Sequence, residues 1–144
     1  MLSQKSFNEL MLLKTVTGLE EYLNSIENLR DRTALTKIRL SNHSLMIEKG
    51  RHQGLQENER LCLFCDNKIE NEFHFVMECS TFDVLRQQLF IEMVGIDNVF
   101  NELDDNEKFI FILSKPEASK IAGEYVNKTF QIRSFLLEHH KRNG

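Results

Sequence analysis

The sequence is poor in residues that interrupt regular structure: its 144 residues include one proline, six glycines and no tryptophan. With so few breakers it has no linker-like stretch, which favours a single domain. No apolar run is long enough to cross a bilayer, and Asn8 and Glu9 interrupt the region where a secretory signal would lie. We therefore expect an intracellular protein, with the nucleus as one candidate location and with no membrane partner.

Recognisable catalytic motifs are also missing. The sequence has no phosphate-cradling glycine loop, no Ser/His/Asp elbow and no pair of catalytic carboxylates. Adjacent aspartates such as Asp104 and Asp105 can hold Mg²⁺, but no hydrophobic strand flanks them, and helix capping before Phe109 explains them better. We predict that the chain is not an enzyme and has no small-molecule substrate.

Cysteine is scarce, and its placement is the most informative feature of the sequence. The three cysteines are Cys62, Cys65 and Cys79, and His74 lies between the second and the third. Their odd number argues against a disulfide framework. A Cys-x2-Cys pair followed by His and Cys is typical of a structural zinc site, because three thiolates and one imidazole complete a tetrahedron around Zn²⁺. The alternative is that these are buried core residues unrelated to a metal.

The ligand spacing also predicts local structure. Residues 61–71 should form a short hairpin that turns at Asp66-Asn67-Lys68, and Asn71 should cap a short helix after it. On one continuous α-helix, His74 and Cys79 would be rotated by about 140° from each other and could not share a metal. The helix must therefore break before Cys79, where Ser80-Thr81-Phe82-Asp83 offers a new capping box.

Helical periodicity dominates the rest of the chain. We predict a capping box at Ser6-Phe7-Asn8-Glu9, a helix over residues 19–29, and one helix or two over residues 33–49 that stop at Gly50. Further helices are predicted over residues 81–94, stopping at Gly95, over residues 109–113, and from Ser114 to His140 with a buried stripe of Ile121, Tyr125, Ile132 and Leu136. The predicted fold class is mostly α: one helical domain over residues 1–144, with a small CCHC zinc knuckle at residues 60–80 between helices.

Positive charge is concentrated in one segment, although the formal net charge is −4. The segment contains six basic residues against Asp31 and Glu48: Arg30, Arg32, Lys37, Arg39, Lys49 and Arg51. Such a segment can position a nucleic-acid backbone. An ordinary solvated helix face is an equally good interpretation, and the acidic total charge opposes nucleic-acid binding.

Three runs of sequence carry a family resemblance: residues 35–51, residues 59–65 and residues 70–79. Together, over about residues 30–90, they resemble the zinc-binding region at the C-terminal end of non-LTR retrotransposon reverse transcriptase polyproteins. The resemblance implies that Zn²⁺ is held by four ligands: Cys62, Cys65, His74 and Cys79. It also implies that the region helps to hold RNA or target DNA, and the contacts we expect are Lys37, Arg39, Lys49 and Arg51. The sequence contains no polymerase palm and no endonuclease, so no catalytic activity is implied.

We therefore predict a non-catalytic structural zinc-binding module of retroelement origin that contacts nucleic acid, with Zn²⁺ as its cofactor. The alternative is a protein-interaction or scaffolding module in which zinc only supports the fold.

Overall fold

The computed structural model describes residues 26–143, with side chains as far as His139. This part of the chain contains five α-helices: α1 (Leu29–Arg39), α2 (Met46–His52), α3 (Asp83–Ile96), α4 (Asp105–Ser114) and α5 (Ser119–Asn143). Single turns connect them: 3₁₀ turns at Glu57–Glu59, Ser80–Phe82, Asn98–Glu102 and Pro116–Ala118, and a π-helical turn at His74–Glu78. Within these residues the one extended pairing is an isolated bridge between Leu61 and Ile69. The mostly α fold class, with a knuckle between helices, is confirmed.

The N-terminal predictions fall largely outside the described residues. The capping box at residues 6–9 lies there, as does most of the helix predicted over residues 19–29. The predicted end of that helix is wrong, because residues 26–28 are not helical and Leu29 begins α1. Asn28 caps α1, its side chain accepting a hydrogen bond from the backbone N–H of Asp31 at 3.1 Å.

The segment predicted as one helix or two folds as two. The chain leaves α1 through Ser41, whose φ of 56° is left-handed. Gly50 does not stop α2, which continues to its end in a Schellman motif at Gly54 (φ 77°). In that motif the Leu55 N–H donates to the Gly50 carbonyl at 2.9 Å and the Gly54 N–H donates to the Arg51 carbonyl at 3.2 Å. The prediction chose the wrong glycine of the two.

The later helices occur in the predicted order with shifted ends. Gly95 does not stop α3, which continues one residue further. The predicted capping box at Ser80 is replaced by a 3₁₀ turn, and α3 follows Phe82, which makes no side-chain capping bond. Pro116 opens the turn that leads into α5, as predicted.

Asp104, the first residue of the aspartate pair, has the predicted capping role before α4. The Asp104 carboxylate accepts a hydrogen bond from the Glu107 N–H at 2.8 Å, and the Glu107 carboxylate accepts from the Asp104 N–H at 3.1 Å. This reciprocal capping box satisfies two backbone donors at the helix start.

α5 is the central element, because α1, α3 and α4 all pack against it. The approach of α1 is close: a Cβ on Gly123 would lie 3.0 Å from the Asp31 carbonyl oxygen. The predicted buried stripe is therefore displaced; of its four residues only Tyr125 is fully buried. The observed buried side chains on α5 are those of Ser119, Ala122, Tyr125, Val126, Thr129 and Arg133. Gly123, beside Ala122, is a position where α1 approaches closely, which is why small residues occur there.

The core combines aliphatic side chains with a group of packed phenylalanines. Phe75 lies near its centre, with ring centroids 4.5 Å from Phe130 and 5.3 Å from Phe82. Phe73 packs edge-to-face on Phe109 at 5.3 Å. Phe73 and Phe75 flank His74 in sequence, so the segment that carries the histidine is anchored in the core on both sides. In the part of the chain that is described, no helix combines the length and apolarity that a bilayer span requires.

Candidate metal centre

The first two cysteines lie on the predicted hairpin. The Cys62 N–H donates to the Lys68 carbonyl at 2.7 Å, and the Glu70 N–H donates to the Arg60 carbonyl at 2.9 Å. Asn67 adopts a left-handed φ of 55° in the turn, a conformation that asparagine tolerates. The Phe64 N–H points at the Cys62 sulfur at 3.5 Å. The turn thus brings both sulfur-bearing residues to one side of the hairpin.

A π-helical turn resolves the rotation problem between the other two ligands. Asn71 caps the turn as predicted, accepting from the His74 N–H at 2.8 Å. The Cys79 N–H then donates to the His74 carbonyl at 2.7 Å, a bond between residues five apart. This wider turn brings position 79 over position 74, and the extended ψ of 120° at Cys79 ends it. The predicted break at Cys79 is confirmed, and the π turn is its cause.

The four predicted ligands come together. One ligand atom from each of Cys62, Cys65, His74 and Cys79 lies within 4.8 Å of all the others. The Cys79 sulfur is 3.9 Å from that of Cys62 and 3.8 Å from that of Cys65. These separations far exceed a disulfide bond of about 2 Å. They match the edge of about 3.8 Å that a tetrahedron with metal–sulfur bonds of 2.3 Å requires. The cluster could therefore bind a metal ion, and zinc is consistent with its donors.

His74 supplies a second argument for a metal. The residue is 2% exposed, and neither ring nitrogen has a hydrogen-bond partner among the described residues. Buried polar atoms without partners are rare in native proteins. A metal ion at one nitrogen removes this deficit, and the Glu78 carboxylate, 3.6 Å from Nδ1, is the kind of neighbour that orients metal-binding histidines.

The electrostatics of the cluster favour one ionised sulfur. The neighbouring Cys62 thiol lowers the pKa of the Cys79 thiol to about 3, and the polar groups of His74 and Thr81 act in the same direction, against the opposing effect of burial. The hydrogen bond to Cys79 and burial both raise the pKa of the Cys62 thiol. Cys79 is thus favoured as the thiolate, which is the metal-binding form of cysteine.

Arg86 of α3 holds the end of the π turn. Its buried guanidinium donates to the Cys79 carbonyl at 2.6 Å and to the Val76 carbonyl at 2.9 Å. The Tyr125 hydroxyl from α5 donates to the same Val76 carbonyl at 3.3 Å, and burial raises the pKa of Tyr125 to about 12. Carbonyls at the end of a helical turn need such donors. Sequence reasoning missed Arg86, because α3 also contains the charged residues Asp83 and Glu92 and nothing local distinguishes Arg86 from them.

A buried ion pair joins the knuckle to α5. Arg133 makes two parallel hydrogen bonds to the Glu70 carboxylate, at 3.0 Å and 2.7 Å. The same carboxylate accepts from the Met46 N–H at 2.7 Å and so also caps α2. The pair spans 63 positions, which is why no local pattern revealed it.

A second buried carboxylate joins the knuckle to the connection between α1 and α2. Glu72 accepts from the Ser41 hydroxyl at 3.1 Å and lies 2.8 Å from His43 Nε2. These contacts place the α1–α2 connection against the helix start that carries His74.

The four predicted nucleic-acid contacts differ in accessibility. Lys37 on α1 and Lys49 on α2 are exposed. Arg51 is exposed too, and its guanidinium makes two hydrogen bonds to Glu48, at 2.8 Å and 3.1 Å. Arg39 is only 4% exposed, which argues against a direct contact through its guanidinium.

Comparisons of the chain with protein-family models, with curated proteins and with solved structures find no match.

Proposed function

We propose that this chain is a non-catalytic module in which Cys62, Cys65, His74 and Cys79 hold one Zn²⁺ ion and exposed basic side chains contact nucleic acid. The observation that carries the proposal is the convergence of four ligand atoms within 4.8 Å. Thiolate and imidazole donors in a tetrahedral arrangement suit zinc better than Mg²⁺ or Ca²⁺, which prefer oxygen.

The zinc ion would be structural. Four protein ligands complete its coordination and leave no position for a water or substrate. A metal bound in this way contributes to folding free energy directly. In this chain it would tie the hairpin to the π turn, which the core holds through Phe75 and Val76.

Nucleic-acid contact is supported by the exposed cations of α1 and α2 and by the resemblance to the zinc-binding region of retrotransposon polyproteins. Lys37, Lys49 and Arg51 are accessible to phosphates. Arg39 is left out because it is buried. Descent from a retroelement is part of the same proposal and is supported by the pattern over about residues 30–90.

The alternative function is a protein-interaction or scaffolding module. The net charge of −4 favours it, as does an exposed apolar face on α3, where Val84 is 78% and Ile91 is 65% exposed. Because Val84 and Ile91 are seven positions apart, they lie on the same face of the helix.

Elemental analysis of the purified chain tests the metal site. We expect one zinc per chain in the wild type, and in Cys65→Ser or Cys79→Ser we expect a loss of zinc together with a lower melting temperature. Ser80→Ala is the matched control: it removes a hydroxyl 3.5 Å from the Cys65 sulfur but no ligand. Zinc at unit stoichiometry in both serine variants would show that the ligands are assigned wrongly.

Fluorescence anisotropy with short RNA and DNA at two salt concentrations tests the partner. We expect Lys37→Glu and Lys49→Glu to weaken binding and to flatten its salt dependence. The control Lys108→Glu makes the same charge change on α4. If the zinc-loaded chain binds no nucleic acid at low salt, the scaffolding function becomes the better proposal.

A further inference from the structure

A groove of about 650 Å³ lies between α1, residues 42–44 and the middle of α5. Its volume is in the range of small-ligand sites. α1 contributes one face to it at positions 30, 33 and 37, where successive residues are three and four apart. The side chains that matter here are Arg30, Thr33, Lys37, His43, Asn127 and Phe130.

The groove is positively charged, although the chain as a whole has a net negative charge. Arg30 and Lys37 line it, and no acidic residue of the described chain does so. Both cations are exposed, and neither forms an ion pair with a described residue. Seven positions on a helix separate them by about 10 Å along its axis. They are therefore placed to bind two negative charges at the two ends of one ligand.

An aromatic side chain lines the same groove. Phe130 is half-buried and is backed by Phe75, whose ring centroid is 4.5 Å away, and by His43 at 6.4 Å. Beside it the Asn127 amide is fixed by a hydrogen bond to Asp31 at 2.8 Å. An aromatic ring in a groove that cations also line is the combination by which proteins stack unpaired bases and hold the adjoining phosphates.

We propose that this groove binds unpaired nucleotides of single-stranded nucleic acid, with a base against Phe130 and phosphates at Arg30 and Lys37. The inference rests on the proposed nucleic-acid function and specifies where and in which form the strand binds. An intact duplex keeps its bases stacked inside the helix, so it offers no base to a recessed aromatic ring. Single strands should therefore bind more tightly than a duplex of the same sequence.

Anisotropy of the full, zinc-loaded chain with a labelled single strand and with its duplex tests the proposal. Phe130→Leu removes the ring but keeps an apolar side chain against Phe75, and we expect it to weaken single-strand binding by about tenfold. The pair Arg30→Gln and Lys37→Gln should reduce the slope of log affinity against log salt by about 1.4. Lys120→Gln with Lys128→Gln is the matched control, because both lysines are exposed on α5 and neither lines the groove.

The outcomes separate the groove from the general function. If the groove variants bind nucleic acid as tightly as the wild type does, the groove proposal is wrong but the nucleic-acid function still stands. The same conclusion follows if the wild type binds duplex more tightly than single strand. If the wild type binds no nucleic acid at all, the groove proposal and the proposed nucleic-acid function are both wrong. If Phe130→Leu does not fold, as judged by circular dichroism and zinc content, the Arg30→Gln and Lys37→Gln variants alone test the groove.

Discussion

The Arg86 guanidinium and the backbone carbonyl of Cys79 lie 2.6 Å apart, so a side chain of α3 fixes one of the four candidate ligands through its main chain. The same guanidinium bonds the Val76 carbonyl. It therefore holds the end of the π turn through two backbone carbonyls, and the placement of Cys79 depends on a residue that is not itself a candidate ligand.

Replacing Arg86 with methionine should lower the free energy of unfolding by about 3 kcal/mol, because two buried carbonyls lose a charged donor. Urea unfolding of the purified chain measures this. Asp83→Ala is the control: it removes the partner of Arg86 that is 59% exposed, and it should cost less than about 1 kcal/mol. Equal losses in the two variants would mean that Arg86 acts only through its surface ion pair.

Glu70 and Arg133 should behave as one unit. Removal of either charge leaves the other buried and unpaired, so Glu70→Gln and Arg133→Met should each cost about 3–5 kcal/mol. Glutamine retains an oxygen that can accept from the Met46 N–H. The double variant should lose much less than the sum of the two single losses, because no lone charge remains. Additive losses in a double-mutant cycle by urea unfolding would contradict a coupled pair.

Two helical glycines should respond to alanine in opposite directions. In Gly123→Ala the new Cβ would lie 3.0 Å from the Asp31 carbonyl oxygen, so α1 must move away from α5 and the melting temperature should fall. In Gly95→Ala nothing lies within 4 Å of the new Cβ, and the better helix propensity should stabilise the chain by up to about 1 kcal/mol. The same sign of change in both variants would show that close packing is not what requires Gly123.

Tyr125 should confer sensitivity to alkaline pH. Burial raises the pKa of Tyr125 from 10 to about 12. The contribution of the neutral Tyr125 side chain to the free energy of unfolding is therefore fully present below pH 10 and is lost as the pH rises toward 12. A pKa shift of this size corresponds to a loss of about 3 kcal/mol in the free energy of unfolding. Urea unfolding at several values in this pH range, for the wild type and for Tyr125→Phe, measures the difference between the two profiles.

The chain contains one other tyrosine, Tyr22, which provides the control. Tyr22→Phe should leave the late tyrosinate absorbance near pH 12 in place, whereas Tyr125→Phe should abolish it. Loss of that absorbance in Tyr22→Phe would assign the raised pKa to the wrong residue.

The candidate ligands could be predicted from the sequence because their spacing reflects local geometry. A hairpin turn determines how Cys62 and Cys65 lie relative to each other, and a single helical turn does the same for His74 and Cys79. His74 and Cys79 are five positions apart, a spacing that a regular α-helix cannot bring to one metal, and this predicted where the helix is irregular. Its form could not be predicted, because the π turn depends on donors from Arg86 and Tyr125, which are distant in the chain or on other helices.

Helix ends were harder to predict than helices. Gly50 was a reasonable stop by local rules, but Gly54 closes the helix, and Gly50 is packed so tightly that a Cβ would lie 2.6 Å from the Arg60 Cγ. A glycine can mark a turn or a close contact, and only the tertiary structure distinguishes the two. The buried stripe of α5 was displaced for a similar reason: the prediction selected bulky residues such as Ile121, and the close approach of α1 selects small ones such as Ala122.

The bond between Glu70 and Arg133 has a consequence for anyone who wishes to transplant the knuckle. A peptide cut at its boundaries would carry the four donors but would leave behind the counter-charge that neutralises its own glutamate. The knuckle therefore depends on the last helix for a charge partner, and a peptide without that helix would have to leave the Glu70 carboxylate exposed to water or protonated.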